Sequence, residues 1–381
     1  MSIRIPLLTI AILAAVGIAS AAPVNIALTN PLPTARPNAV VVAPAEVLGI
    51  PCAHGAMTAN VAGGRAFPVQ ADDLDGDGVA DEISMVLDLP AQTSVTVTVH
   101  PDAPWEDESL TDARIGWRYE DYAVLDTDRA AYGLYGVFSS HFKGCLQWDC
   151  YGKRPEAWGL SLDALDGVNY HEDNDVAVDY LIVGHTLALG GVILGDGRPV
   201  HGENATYEQS VICTGPVRGG IRVEVTDFTT PSGGRYELTA RYFIYAHNDF
   251  LDVRYELRSL EGKPERFGAG IRKFPDPGHL LRSPTEGILA IWGPQEGIIG
   301  EAGLAVIFSP TRFQAWTDRP GEEGGHAFFL NPPLQGREKV EYQMRYVGAW
   351  EHGGVATKET FIPHLQELAE RFHQPVSVSV R

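Results

Sequence analysis

The sequence predicts an all-β protein, a large antiparallel β-sandwich that ends in a short C-terminal helix. Glycine and proline are frequent, with 41 and 26 of 381 residues, which is typical of a chain with many turns. Short apolar or alternating runs recur between these turns, as strands require. Apolar residues at helical spacing occur convincingly only near the C-terminus. Together these observations favour strands over helices along nearly the whole chain.

The first 21 residues have the pattern of a cleavable signal peptide. Arg4 provides the positive charge, residues 5–18 form an apolar stretch, and Ala19-Ser20-Ala21 is a small-residue cleavage site. The stretch is too short for a membrane-spanning helix, which needs about 20 apolar residues. We therefore expect a periplasmic or secreted protein without membrane insertion, whose residues 22–381 form a single large domain.

The predicted strands follow the apolar runs in chain order. They are expected at residues 24–28, 39–42, 93–99, 217–226, 236–245, 250–257, 287–292, 303–308 and 339–347. The helix is predicted from the apolar residues Phe361, Leu365, Leu368 and Phe372, with Thr360 as its N-cap.

The charge balance excludes one class of function. Asp and Glu number 49 against 29 Lys and Arg, so the formal net charge is −20. Nucleic-acid binding is disfavoured, because it needs clustered Lys and Arg.

No serine-hydrolase elbow, phosphate-binding glycine loop or H-E-x-x-H motif occurs, and we expect no organic cofactor.

The four cysteines are compatible with disulfides in an oxidising compartment. Cys145 and Cys150 are close enough in sequence to close a small loop, which leaves Cys52 to pair with Cys213. Four unpaired buried thiols are the alternative.

An acidic loop, D-L-D-G-D-G-V-A-D, spans residues 73–81. Its spacing resembles loops that wrap a calcium ion with oxygen ligands. The predicted ligands are the side chains of Asp73, Asp75, Asp77 and Asp81 and the carbonyl of Val79. We expect a structural calcium ion, although Asp-Gly pairs also form solvated hairpin turns.

A polar face is predicted on the meander formed by residues 217–257. Strand alternation places Arg218 and Arg222 on one side of the first strand, and Arg241 and Arg254 fall on the equivalent sides of the next two. Guanidinium groups grip carboxylates well, so this face could bind an anionic sugar. Cross-strand ion pairs are the alternative.

An irregular loop offers groups for proton transfer. His171 and Glu172 lie in the run Y-H-E-D-N-D, and histidine is easily poised near neutral pH. Tyr132 upstream is a further proton donor, and Lys153 and Arg154 are further cations for a substrate. Exposed polar loops without function have the same appearance.

Several segments together resemble a bacterial exported family, the domain of unknown function 4861. They are D-D-L-D-G-D-G-V-A-D-E-I, V-L-D-L-P, Y-G-K-R, Y-H-E-D-N-D-V-A-V-D-Y-L-I-V-G, C-T-G-P-V-R and W-E-H-G-G, in that order. The resemblance implies a β-sandwich of the galactose-mutarotase type. It also implies a role in the breakdown of uronic acid polysaccharides, in which one similar protein is an oligosaccharide dehydratase.

The sequence therefore predicts an exported carbohydrate-active enzyme that acts on uronate-containing oligosaccharides by elimination. His171 would be the base and Tyr132 or Glu172 the acid, while Arg218 and Arg222 would neutralise the uronate carboxylate. Two alternatives stay open. One is a glycoside hydrolase that uses Glu172 and Asp175. The other is a non-catalytic sugar-binding protein whose tryptophans stack on sugar rings, from among Trp148, Trp158, Trp292 and Trp350.

Overall fold

The computed structural model describes residues 22–50, 55–118, 121–135, 146–195, 197–199, 205–229, 233–275, 278–295, 297, 300–319, 324–334 and 336–380. The first strands are β1 Val24–Thr29, β2 Arg36–Pro44, β3 Gly55–Val61, β4 Ala66–Asp72, β5 Glu82–Leu89 and β6 Ser94–Pro104. Next come β7 Thr111–Ile115, β8 Ala123–Thr127, β9 Ala130–Leu134, β10 Trp148–Lys153, β11 Ala177–Asp179, β12 Leu189–Leu194 and β13 Arg198–Pro199. They are followed by β14 Thr206–Cys213, β15 Arg218–Thr229, β16 Arg235–Tyr245, β17 Phe250–Ser259, β18 Glu265–Arg272, β19 His279–Ser283 and β20 Ile288–Pro294. The last strands are β21 Glu301–Phe308, β22 Phe313–Arg319, β23 Gly325–Leu334, β24 Val340–Trp350 and β25 Ser377–Val380. The α-helices of the described ranges are α1 Ala45–Leu48 and α2 Lys358–His373.

The strands form three antiparallel sheets. One has seven strands in the order β2-β5-β4-β3-β6-β1-β25. The second has ten, in the order β22-β23-β18-β12-β10-β9-β8-β7, with β11 paired to β10 and β13 to β12. The third has eight, in the order β14-β15-β16-β17-β24-β21-β20-β19. Each of the nine predicted strand segments overlaps an observed strand, and the predicted all-β class is confirmed.

The main hydrophobic core lies between the ten-stranded and eight-stranded sheets. Strand alternation turns Trp148 and Cys150 of β10 into this core, and Ile221 and Val223 of β15 meet it from the other sheet. The face of each sheet turned away from this core is called its outer face below. The two outer faces are therefore on opposite sides of the sandwich.

The seven-stranded sheet surrounds a second core of its own, which includes Ile26, Val41 and Met85. Its other side packs Val40 and Val42 towards the outer face of the eight-stranded sheet, where α2 also docks. Residues of the seven-stranded sheet, the eight-stranded sheet and α2 thus pack together in one hydrophobic cluster. That residues 22–381 form a single domain stays a prediction.

Helix α2 begins three residues earlier than predicted. The Thr357 side chain accepts a hydrogen bond from the Thr360 N–H, and the Thr360 hydroxyl accepts one from the Thr357 N–H. This reciprocal cap makes Thr357 the N-cap and places Thr360 inside the first turn. Phe361 and Leu365 are buried, as predicted. In the part of the chain that the structure describes, no helix is long and apolar enough to cross a membrane.

Neither predicted disulfide forms. Cys150 and Cys213 are free, buried thiols. The Cys150 side chain points into the main core, whereas Cys213 belongs to the cluster beneath α2. Their proposed partners, Cys145 and Cys52, lie outside the described residues.

Candidate functional site

The candidate site lies on the outer face of the ten-stranded sheet, where β9, β10 and β11 meet. Because side chains alternate along β10, Asp149 and Tyr151 point away from the main core that holds Trp148 and Cys150. Asp179 of β11 lies directly opposite Tyr151. Strand pairing therefore brings two aspartates from distant parts of the sequence onto one surface.

Asp149 and Asp179 form a buried, hydrogen-bonded carboxyl pair. Burial and the neighbouring Asp179 raise the pKa of Asp149 well above its usual range, and burial also raises the pKa of Asp179. Two carboxylates in contact cannot both ionise cheaply, so the pair retains a proton at neutral pH. The buried carboxyl pair thus holds a proton on the outer face of the ten-stranded sheet.

His171 connects the carboxyl pair to solvent. Its Nδ1 lies 3.4 Å from Oδ2 of Asp179, and its side chain is 61% exposed. The loop that carries it is held by Asn174, whose side chain bonds the backbone of Val176 and Ala177. An exposed imidazole backed by a buried carboxylate is a suitable arrangement for a general base.

Aromatic rings surround the carboxyl pair. The hydroxyl groups of Tyr122 and Tyr151 are 2.9 Å apart, and that of Tyr122 also approaches Asp149 Oδ2 at 3.5 Å. The Tyr170 ring contacts His171 and lies near Trp117, and the Arg118 guanidinium packs over both of these rings. These rings form a wall next to the exposed imidazole.

Gly133 is required for this geometry. It pairs with Asp149 across β9 and β10, and Tyr122 lies over its Cα. A Cβ at position 133 would be only 1.7 Å from the Tyr122 hydroxyl oxygen. Any larger residue would displace Tyr122 from the carboxyl pair.

Arg272 lies on the same outer face. Trp148 of β10 pairs with Leu189 of β12, which pairs in turn with Ile271 of β18. Asp149 and Arg272 are the next residues along β10 and β18. Because side chains alternate along a strand, both point to the opposite face from Trp148 and Ile271. Two strand spacings put their Cα atoms about 10 Å apart. Nε and Nη1 of Arg272 are buried without a hydrogen-bond partner among the residues that the structure describes, and burial lowers the pKa of this guanidinium.

The loop residues predicted from sequence have different fates. Glu172 is exposed next to His171. Arg154 is on the border of this loop, where it bonds Asp173 and the Asn174 carbonyl and stacks on Trp350.

Tyr132 and Lys153 were predicted wrongly. Tyr132 points into the main core, where its hydroxyl donates to the Asp249 carbonyl and accepts from the Gly348 N–H. Lys153 is buried, and its ammonium donates to Asp126 and to two backbone carbonyls. Both groups are therefore saturated inside the protein and cannot contact a substrate.

Arg218 is also not a substrate-binding residue. Its side chain is 0% exposed, with Nε 2.6 Å from Asp72 and Nη1 2.8 Å from Glu82. It joins the seven-stranded sheet to the eight-stranded sheet. The guanidinium neutralises carboxylates of its own chain, which corrects the predicted role.

The predicted polar face of the meander does exist. Arg222, Arg241 and Arg254 lie in register on neighbouring strands, as the alternation indicated. Arg241 pairs with Glu256, and Arg222 lies 3.8 Å from a Glu224 oxygen. However, this is the outer face of the eight-stranded sheet, on the opposite side of the sandwich from His171. Arg222 and Arg241 therefore cannot share a substrate ring with His171, and the predicted combination is wrong.

The acidic loop connects β4 and β5. Ligand atoms of Asp73, Asp75 and Asp81 lie within 4.8 Å of one another. Asp77 does not join this group, and its side chain accepts from the Val79 N–H. Part of the predicted ligand set thus converges, while calcium binding itself stays a prediction.

Sequence reasoning missed Asp149 and Arg272. Asp149 is a charged residue between apolar neighbours in W-D-C-Y, a pattern that marks a strand with one functional or strained face. Nothing comparable distinguishes Arg272 in the sequence, because its significance depends on two guanidinium nitrogens that have no partner among the described residues.

The tryptophans predicted as sugar platforms are mostly internal. Trp148, Trp292 and Trp350 are buried, whereas Trp158 is 37% exposed. Only Trp158 of these four could therefore stack on a sugar.

Comparisons with solved structures give distant similarities. A protein in the glycosyl hydrolase family 38 and an alpha-mannosidase, both from Enterococcus faecalis, match 94% of this chain at 8% identity, with TM-scores of 0.49 and 0.48. The chain spans about half of their length, 47% and 46%. Galactose 1-epimerase from Lactobacillus acidophilus matches 64% of this chain and 99% of its own at 12% identity, with a TM-score of 0.28. Similarities of this size say nothing about activity.

No curated protein matches the chain. The model of one protein family, described as a domain of unknown function, DUF4861, matches residues 28–378. This range contains every motif on which the resemblance was based, so the resemblance is confirmed. The chain belongs to the DUF4861 family.

Proposed function

We propose that the protein is an exported carbohydrate-active enzyme that eliminates water or an alcohol from a uronate residue of an oligosaccharide. One observation carries the proposal: the exposed His171 imidazole is backed by the buried Asp179–Asp149 pair. A hydrogen bond from Nδ1 to Asp179 would leave the Nε2 lone pair free to accept a proton. His171 is thus the base.

The reaction breaks two bonds and forms one double bond. His171 takes the proton from C5, the electrons of that C–H bond form the C4–C5 double bond, and the C4–O bond electrons leave with the departing oxygen. That oxygen takes a proton from an acid. With Tyr132 buried elsewhere, Glu172 is the remaining donor among the predicted residues.

The C5 proton is acidic only when the adjacent carboxylate is neutralised. Arg272 supports this requirement, because its Nε and Nη1 have no hydrogen-bond partner among the described residues and its Cα lies about two strand spacings from that of Asp149. It takes the place that sequence reasoning gave to Arg218 and Arg222. A planar guanidinium matches a carboxylate with two parallel hydrogen bonds.

Hydrolysis has less support. Retaining glycosidases need carboxyl groups about 5 Å apart and inverting enzymes need more, whereas Asp149 and Asp179 are hydrogen-bonded to each other. Glu172 and Asp175 are both exposed without a buried environment to separate their roles. A purely sugar-binding role has Trp158 alone of the predicted platforms.

The experiment mixes the purified protein with uronate-containing oligosaccharides and records ultraviolet absorbance and product mass. We expect an unsaturated product, and His171→Ala should lower its rate by at least about a hundredfold. His247→Ala is the matched control, because His247 also pairs with an aspartate, Asp128, at 3.0 Å, but lies in the turn between β16 and β17 and not in the loop of His171. Unchanged turnover in His171→Ala, or a product that has gained water without absorbance, would refute the proposal.

Export through residues 1–21 belongs to the same proposal. N-terminal sequencing of the protein recovered from the periplasm or medium should begin at Ala22. Recovery of a chain that still begins at Met1 would contradict it.

A further inference from the structure

A cavity of about 400 Å³ lies between β2 of the seven-stranded sheet, β17 and β24 of the eight-stranded sheet, and the C-terminal end of α2. It is called the arginine cavity here. Its charged lining residues are Arg36, Arg254, Arg345, Arg371, Glu82 and Asp252. This volume is within the range of small-molecule binding sites.

The arginine cavity has more positive than negative groups. Asp252 is fully used by Arg345, whose Nε and Nη2 donate to its two oxygens at 2.7 and 2.9 Å. Glu82 is shared between Arg254 and the buried Arg218. Arg371 pairs with Glu367 of α2, outside the lining. The lining itself therefore has four guanidinium groups and two occupied carboxylates, in a chain whose net charge is −20.

Arg36 is the least compensated of these groups. It is only 3% exposed, and its hydrogen bonds go to two neutral oxygens, Asn30 Oδ1 at 2.8 Å and the Gln374 carbonyl. Burial and the nearby charge of Arg371 lower the pKa of Arg36, and the charge of Glu370 offsets only part of this. Because a buried charge whose hydrogen-bond partners are neutral is costly, an anion in the cavity would stabilise it.

The cavity walls also suit an organic ring. Phe372 lines it, together with Val40 and Val42 of β2, while the Arg345 guanidinium covers the Phe250 ring at 3.6 Å. Sugar rings pack their C–H faces on aromatic side chains, and a carboxylate pairs with guanidinium forks. The cavity thus combines an apolar wall with a cationic end.

We propose that the arginine cavity binds a sugar-sized organic anion, whose acidic group lies against Arg36 and Arg371. This site is on the opposite side of the sandwich from His171. It is separate from the proposed catalytic site and does not depend on the proposed function.

The test measures binding by calorimetry with glucuronate, glucose and sodium sulfate at matched ionic strength. Arg272→Met serves as the parent protein, so that binding of an acidic sugar near His171 does not contribute. We expect glucuronate to bind more tightly than glucose, which lacks the carboxylate, and more tightly than sulfate, which lacks the ring. Adding Arg36→Met should weaken glucuronate binding at least about tenfold.

Arg371→Met guards against misfolding of the Arg36 variant. Arg371 of α2 is less buried than Arg36, with its side chain 14% exposed, Nη1 bonded to the Pro37 carbonyl and Nη2 to Glu367. Its loss should also weaken glucuronate binding, while the thermal unfolding midpoint shows that the variant is folded. Equal binding of glucuronate and glucose would overturn the proposal, as would binding of sulfate as tight as that of glucuronate. Unchanged glucuronate affinity in folded Arg36→Met or Arg371→Met would also overturn it.

Discussion

The buried Arg218 should be one of the most important side chains for the stability of this protein. It lies on the outer face of β15 and bonds Asp72 at the end of β4 and Glu82 at the start of β5. Gln70 adds to the junction, because its side-chain oxygen accepts from the Arg218 N–H at 3.0 Å. The contact between the seven-stranded and eight-stranded sheets therefore depends on a small set of buried polar groups.

We expect Arg218→Met to lower the free energy of unfolding by about 3–5 kcal/mol, the usual cost of removing one partner of a buried ion pair. The cost arises mainly from Asp72, whose side chain is only 4% exposed and loses its only ion-pair partner among the described residues. Glu82 loses less, since Arg254 still contacts it. Adding Asp72→Asn to Arg218→Met should thus restore a large part of the loss.

Urea unfolding at neutral pH, followed by circular dichroism, measures these differences. Arg235→Met is the matched control, because Arg235 and its partner Asp227 are about half exposed, and such pairs contribute at most about 1 kcal/mol. A loss of less than about 1 kcal/mol for Arg218→Met would refute the reasoning. Further destabilisation by Asp72→Asn in the Met background would do the same.

Four other outcomes are expected. Burial alone would raise the pKa of Glu82, but Arg218 and Arg254 outweigh burial and lower that pKa. The stabilisation that ionised Glu82 contributes is therefore complete above its unfolded pKa and is lost as pH falls. Glu82→Gln should thus flatten the acid side of the curve of unfolding free energy against pH. Asp149 has a raised pKa, so the folded state holds a proton that the unfolded state releases, and stability falls as pH rises through that window. Asp149→Asn should consequently be more stable than the wild type at pH ~8 by about 1 kcal/mol or more, yet inactive; lower stability there would contradict the assignment. Gly133→Ala should cost about 1–3 kcal/mol through its clash with the hydroxyl of Tyr122, and the added change Tyr122→Phe should recover part of it in the same urea assay. Calcium should raise the thermal unfolding midpoint relative to EDTA, and Asp73→Asn should remove the rise; the same midpoint with and without calcium would leave the loop as an ordinary acidic turn.

Local chemistry explains why part of the candidate site could be predicted. His171 and Glu172 stand out because titratable groups are concentrated in one loop of the sequence. That loop was correctly identified as a surface feature, and Asn174 holds it in place through short-range bonds. The burial of Asp179 and its contact with Asp149 could not be predicted, because that contact depends on the pairing of β10 with β11.

The arginines show the opposite case. Alternation alone put Arg222, Arg241 and Arg254 on one face, and the register of β15, β16 and β17 agrees. The alternation of side chains along a strand does not tell which face of the sandwich these arginines occupy. It also does not tell whether water or another sheet covers that face. The seven-stranded sheet covers Arg218 and leaves Arg222 partly open.

The sequence by itself determined nine of the strand segments, the all-β class, the C-terminal helix and the family, because these follow from hydrophobic period, turn residues and motif order. The tertiary structure decided which polar groups are free to meet a ligand. Nε and Nη1 of Arg272 have no hydrogen-bond partner among the described residues, while Lys153 and Arg218 are ion-paired with carboxylates of their own chain. The physical reason is that desolvation and ion pairing depend on neighbours that are distant in the chain, and these neighbours are set only when the three sheets pack.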